Sequence, residues 1–91
     1  MNKENVTNLR MYEVDESELP YRVEIHGKHE NVVYGSGVTL AKALMSAFST
    51  SGMFPNKAYP QRTNSELARF IFFNFGGGEN VAKAIKALSD D

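Results

Sequence analysis

Cysteine and tryptophan are missing from this chain of 91 residues, and neither sign of charge predominates. Without cysteine there is no disulfide, no zinc site built on thiolates and no catalytic thiol. The 10 basic and 11 acidic side chains give a net charge of −1, so the chain as a whole does not attract nucleic acid or anionic lipid. No apolar run approaches the ~20 residues that cross a bilayer, and the polar N-terminus lacks the apolar core of a secretory signal. These absences predict a cytoplasmic protein without a membrane partner.

The length and the hydrophobic content of 42% predict a single domain over 1–91, with frayed ends at 1–8 and 89–91. The fold class is predicted to be α+β, because short strand patterns precede three helical patterns. The predicted sheet is small and antiparallel, with a hairpin of strands 21–26 and 31–34 and an extra strand at 9–14 as an option. The predicted helices span about 38–50, 64–75 and 79–89.

Strict alternation in the first hairpin strand is the basis of the sheet prediction. Tyr21, Val23 and Ile25 share one face, and polar side chains share the other. A period of two is typical of an antiparallel strand with one buried face and one wet face. The glycines Gly35 and Gly37 are predicted to end the partner strand and to lead into the first helix.

The first and last helices are predicted from apolar arcs on a helical wheel. In the first helix the arc holds Leu40, Ala43, Leu44, Ala47 and Phe48. In the last helix it holds Val81, Ala84, Ile85 and Leu88, while Lys83 and Lys86 point outward. Both patterns indicate one face packed on the rest of the domain.

An aromatic stretch at 70–75 contains four of the six phenylalanines and precedes the triplet Gly76–Gly78. Thr63 and Glu66 have the spacing of a capping box, which favours a helix over 64–75. Phenylalanine and isoleucine also favour strands, so a strand at 69–75 stays an alternative. The glycine triplet is interpreted as a hinge between two helices.

As a helix, the aromatic stretch is expected to be central and mostly buried, since a buried aromatic ring removes roughly 150–250 Å² from water. A wide apolar arc takes in Phe70, Ile71, Phe72 and Phe75. Asn74 falls inside this arc, where its amide needs hydrogen-bond partners. Phe73 falls on the polar side.

The two histidines, His26 and His29, lie around the predicted turn with Glu24 and Glu30 nearby. Such groups bind zinc or nickel, but their spacing does not place them on one strand face. We interpret them as solvated side chains and predict no metal and no cofactor. No P-loop or nucleophile elbow is found, and so no enzymatic activity is predicted.

Protein association has the widest support in the sequence. Met53, Phe54 and Tyr59 in the predicted loop, together with Phe73, are candidates for an exposed apolar patch, and such patches mark partner sites. The alternative is that the 53–59 loop folds down and seals the core. An uncovered strand edge would also invite pairing with another chain.

A second hypothesis places nucleic acid on the loop at 57–62. Lys57 and Arg62 would contact phosphates, and Tyr59 would stack on a base. Acidic and basic residues are interspersed along the chain, however, and specific modules usually carry a pronounced basic face. Nucleic acid is therefore the less favoured partner.

Two strands followed by Gly35-Ser36-Gly37-Val38-Thr39-Leu40-Ala41-Lys42-Ala43-Leu44 resemble HicB-type antitoxin domains. In those domains, strands lead into a Thr-Leu-x-x-Ala-Leu helix after a glycine-bearing turn. The resemblance covers about a quarter of the chain and implies a small dimeric regulator of a partner protein.

The predicted function is a small non-catalytic module that binds and regulates another protein, with a homodimer as a further option. An inhibitor or accessory protein of phage or mobile-element type fits this size and the lack of recognisable chemistry.

Overall fold

A computed structural model describes residues 6–27, 32–51 and 63–90. The elements in chain order are β1 (Val6–Glu13), β2 (Tyr21–Gly27), β3 (Val32–Gly37), α1 (Leu40–Ser51), α2 (Asn64–Phe75) and α3 (Glu79–Asp90). The strands form one antiparallel sheet in the order β1-β2-β3. This three-stranded sheet with three helices confirms the predicted α+β class.

The ends of the described chain differ from the predicted bounds. β1 begins at Val6, within the segment 1–8 that was expected to fray, because its first residues pair with the end of β2. α3 includes Ser89 and Asp90, with the Ser89 hydroxyl donating to the Ile85 carbonyl at 2.9 Å. Residues 1–5, 91 and the predicted turn at 28–31 lie outside the described residues.

The alternation of β2 determines which side of the sheet becomes the core. Val23 and Ile25 are fully buried, and Leu9 of β1 lies opposite Ile25 in register. The helices cover this side, whereas the other side carries polar and aromatic side chains. The buried set is Leu9, Val23, Ile25, Ala41, Ala43, Leu44, Ala47, Phe48, Leu67, Ile71, Val81, Ala84 and Leu88.

The prediction that Gly35 ends the second hairpin strand is wrong, because β3 contains it. The strand does end at Gly37, as predicted for the second of these glycines. Their role is steric. A Cβ at Gly35 would lie 2.4 Å from the backbone nitrogen of Ala47, and one at Gly37 would lie 2.7 Å from that of Ala43. The glycines let α1 lie almost directly on β3. Helix α1 accordingly begins at Leu40 rather than 38, with the Thr39 hydroxyl accepting a hydrogen bond from the Lys42 amide at 3.2 Å.

The central helix is α1, not α2 as expected. α1 contacts β2, β3 and both other helices, whereas α2 packs mainly on α3 and touches α1 at few points. Phe48 of α1 is fully buried and meets Phe70 and Phe75 edge to face, with ring centroids 6.0 and 5.8 Å apart. Only Leu67 and Ile71 of α2 are fully buried, so the prediction of a mostly buried α2 is wrong.

Helix α2 has the predicted ends. Thr63 and Glu66 form the capping box, and the Gly76 amide donates to the Phe72 carbonyl at 2.9 Å with the glycine at φ 76°. This result excludes the strand alternative for 69–75. The half-buried amide of Asn74 donates to the Phe70 carbonyl at 2.8 Å, which supplies the partner that its position requires.

Helix α3 is tied to the sheet by a contact between distant parts of the chain. The side-chain amide of Asn80 donates to the backbone carbonyl of Leu9 at 2.7 Å, and the two residues are 71 positions apart in the sequence. The predicted inward face is seen in Val81, Ala84 and Leu88. Ile85, expected in the same set, is only half-buried and lines a surface hollow together with residues of α2.

Candidate partner-binding surface

Two aromatic rings of α2 are exposed to solvent. Phe72 is 54% exposed and Phe73 is 77% exposed, and their rings meet edge to face with centroids 6.0 Å apart. The exposure of Phe73 agrees with the sequence expectation, whereas the expected burial of Phe72 is wrong. The physical reason is that α2 buries only the face of Leu67 and Ile71. Phe72 is the residue after Ile71, so it lies about 100° further around the helix and outside that face.

Two apolar hollows lie beside these rings, in the angle between α2 and α3. The first, about 390 Å³, is lined by Ala68, Arg69, Phe72, Phe73 and Ile85. The second, about 360 Å³, is lined by Phe72, the glycines 76–78, Val81, Ala82, Ile85 and Lys86. They share Phe72 and Ile85 as walls, so they are neighbours. We call the residues that line the two hollows the α2–α3 surface.

Among the residues that the structure describes, the α2–α3 surface contains two cations and no carboxylate. Arg69 stands one helical turn before both Phe72 and Phe73, and Lys86 stands one turn after Ala82. Both cations are exposed. The ion pairs found among the described residues are Arg10–Glu24 and His26–Glu24, which lie on β1 and β2 and include no residue of this surface. The surface therefore combines apolar walls with a positive charge at each hollow.

The glycine hinge contributes to the surface as well as ending α2. Gly76 and Gly78 adopt positive φ, and a Cβ at any of the three glycines would meet nothing within 4 Å. The hinge therefore leaves the second hollow open at its end, and no side chain of the hinge covers it.

The wet face of the sheet carries a separate polar cluster centred on Glu24. Its carboxylate accepts from the Tyr12 hydroxyl at 2.8 Å and from Arg10 Nη1 at 3.3 Å. His26 Nε2 lies 2.8 Å from the same carboxylate. Glu24, at 12% side-chain exposure, is on the central strand and its partners Arg10 and Tyr12 are on β1, so the cluster joins neighbouring strands.

The hydrogen bond with His26, followed by that from Tyr12, lowers the pKa of Glu24 below its usual value, because both favour the charged carboxylate. The same hydrogen bond raises the pKa of the Tyr12 phenol, since ionisation would break its bond to Glu24. Each polar atom of the carboxylate is thus engaged within the sheet. In the described ranges no three histidine, aspartate or glutamate side chains are placed to hold a metal ion.

Most sequence-predicted site residues lie outside the described residues. Met53, Phe54 and Tyr59, as well as the nucleic-acid candidates Lys57, Tyr59 and Arg62, fall in 52–62, and His29 and Glu30 fall in 28–31. Phe73 is the one predicted partner-binding residue that the structure describes. It belongs to the α2–α3 surface.

Sequence reasoning did not single out Phe72, Ile85, Arg69 or Lys86 for the site. A signal was available for Phe72 and Phe73: two consecutive aromatics on a helix lie 100° apart, so one buried face cannot take both together with Ile71. No local signal existed for Ile85, because its exposure depends on how α2 lies across α3.

Comparison of the chain with protein-family profiles, curated proteins and solved structures returns no match. No helix within the described part of the chain combines the length and the apolar character needed to cross a membrane.

Proposed function

We propose that this protein is a small non-catalytic module that binds another protein through the α2–α3 surface and regulates that partner in the cytoplasm. The observation that carries the proposal is the exposure of Phe72 and Phe73 beside two adjoining apolar hollows. Aromatic side chains are enriched at the centres of protein interfaces, and contiguous exposed apolar patches mark interaction sites.

The free energy lost by leaving these two rings in water supports a role for them in binding. Leaving a benzyl group in water forgoes about 1.5–3 kcal/mol that burial would contribute, and a domain of this size has little stability to spare. Phe73 contributes little of this burial to the fold, and Phe72 contributes only about half of it. They are therefore available to a partner, where the same burial stabilises a complex.

A regulatory role, as an inhibitor or accessory protein, fits a module whose recognised features are a compact scaffold and one apolar contact surface. The absence of a catalytic motif in the sequence supports the non-catalytic assignment. The attribution to phage or mobile elements rests on the size of the chain and on its lack of recognisable chemistry.

Site-specific photo-crosslinking in the native host tests the proposal. Replacing Phe73 by p-benzoylphenylalanine keeps an aromatic side chain at the surface and should yield a crosslinked adduct with a defined protein. The matched control carries the same photo-reactive residue at Tyr34, which is 64% exposed on the wet face of the sheet.

Competition makes the result specific. Excess wild-type protein should suppress the adduct, whereas excess F72S/F73S double variant should not. If position 73 gives no more adduct than position 34, or if the double variant competes as well as the wild type, the proposed function is wrong.

A further inference from the structure

The two cations of the α2–α3 surface restrict what can bind there. Arg69 lines the first hollow together with both exposed rings, and Lys86 lines the second hollow. The acidic residues of these helices lie at or near their ends and line neither hollow: Glu66 belongs to the capping box, Glu79 begins α3 and Asp90 ends it. An occupant that covers the hollows is therefore favoured if it brings acidic groups beside its apolar side chains, because complementary charges across an interface favour binding and like charges oppose it.

A second copy of this chain does not meet that requirement. A two-fold interface is isologous, so each copy presents the same patch to the other. Pairing the α2–α3 surface with itself would bring Arg69 and Lys86 from both copies to one contact, where the described lining residues include no carboxylate. The exposed area is also small for a dimer. Phe72 and Phe73 retain about half and three-quarters of their exposure, which supplies only a fraction of the roughly 1,200–2,000 Å² that stable interfaces bury.

The shape of the surface fits a single helix. The two adjoining hollows form an apolar groove lined by α2 and α3, and such a groove accepts an amphipathic helix that inserts apolar anchors at helical spacing. The hollows share the walls Phe72 and Ile85, so anchors in adjoining hollows would stand about one turn apart on the occupant.

We infer that the partner of this surface presents an acidic amphipathic helix, with two apolar anchors about one turn apart and carboxylates flanking them. This inference rests on the proposed function and specifies the chemistry of the partner. The anchors fill the two hollows, and the flanking carboxylates pair with Arg69 and Lys86. Such rim pairs contribute more to specificity and association rate than to affinity.

Two synthetic helical peptides of 18 residues provide the probe. They carry an identical leucine and phenylalanine face, with glutamate flanks in one and lysine flanks in the other. Fluorescence anisotropy should show binding of the acidic peptide and not of the basic one. Amide shifts in an NMR titration should centre on Phe72, Phe73 and Ile85.

Charge reversal and charge conservation then form a matched pair of variants. R69E/K86E should weaken binding of the acidic peptide by roughly three- to thirtyfold, the range expected when two exposed ion pairs are lost, and should permit binding of the basic peptide. R69K/K86R should retain the preference for the acidic peptide. Circular dichroism verifies that each variant is folded.

The inference is overturned if the basic peptide binds as well as the acidic one, if neither binds, or if the shifts map to another face. It is equally overturned if sedimentation shows that the wild-type chain dimerises through Phe72 and Phe73 more tightly than it binds the acidic peptide. Failure of the peptides while position 73 still crosslinks a host protein rejects the acidic helix and leaves the proposed function standing. Loss of both rejects the proposed function itself.

Discussion

Substituting Gly35 by alanine tests the close contact between α1 and the sheet. The added Cβ would lie 2.4 Å from the Ala47 nitrogen and 2.6 Å from the Ala43 carbonyl oxygen. Both are backbone atoms of a helix, so neither can rotate away as a flexible side chain would. The helix must retreat by roughly 1 Å to reach ordinary van der Waals separation.

The expected cost follows from two opposing effects. Overpacking a core contact typically costs about 1–3 kcal/mol, while replacing glycine restricts the unfolded chain and returns about 0.4–1 kcal/mol. Because both backbone contacts would be much shorter than van der Waals separation, we expect G35A to lower the free energy of unfolding by about 2 kcal/mol. For a domain of this size that corresponds to a melting temperature lower by about 8–16 °C.

Urea and thermal unfolding followed by circular dichroism provide the measurement. The matched control is Gly77→Ala, where the new Cβ meets nothing within 4 Å and φ is not positive. This control should be neutral or stabilised by up to about 1 kcal/mol. Adding Ala47→Gly to G35A should not restore stability, because the helix backbone still obstructs the Cβ.

Two results would refute the reasoning. If G35A melts within about 2 °C of the wild type, α1 does not lie against β3 as described. If A47G restores the stability of G35A, the obstruction is a side chain and the glycine is not required by backbone proximity.

Three further predictions concern α2 and the polar cluster of the sheet. Thr63→Ala should lower the free energy of unfolding by about 1 kcal/mol, measured in urea, because it removes the cap of α2; no loss would contradict the capping box. Phe73→Ser should change stability by less than about 0.5 kcal/mol, whereas Leu67→Ala should cost about 2–5 kcal/mol; equal losses would contradict the exposure of Phe73. Folding lowers the pKa of Glu24, so its contribution is present above its unfolded pKa and is lost as the pH falls through the folded value. NMR titration should find that lowered pKa, and Glu24→Gln should reduce the decline of stability in acid; an unchanged acid profile would count against the cluster.

The sequence predicted those features that depend on neighbouring residues. The alternation of Tyr21, Val23 and Ile25 marks a strand because successive side chains point to opposite faces. Thr63 and Glu66 mark the start of α2 because a capping box acts over a single turn. Gly76 marks its end because few other residues adopt positive φ. In each case both partners of the interaction lie within a few positions.

The candidate surface was anticipated only through Phe73. The sequence placed it on the polar side of a helix, and the structure leaves it 77% exposed. Phe72 was expected inside because a helical wheel shows which residues are apolar but not how wide a face the neighbours cover. In the described part of the chain, α2 is fully buried only along the face of Leu67 and Ile71, so the wide arc is buried only in part.

What the sequence determined by itself was therefore the type and order of the strands and helices and the buried faces of β2 and α1, since these depend on local periodicity and caps. What only the tertiary structure decided was which elements meet. It placed Gly35 inside β3, where the missing side chain lets α1 approach the strand backbone, and it made α1 the central helix. It also set α2 across α3 so that Phe72, Ile85 and two cations came together on one surface. These outcomes depend on contacts between residues far apart in the chain. The free energy of such contacts cannot be predicted from any short stretch of sequence.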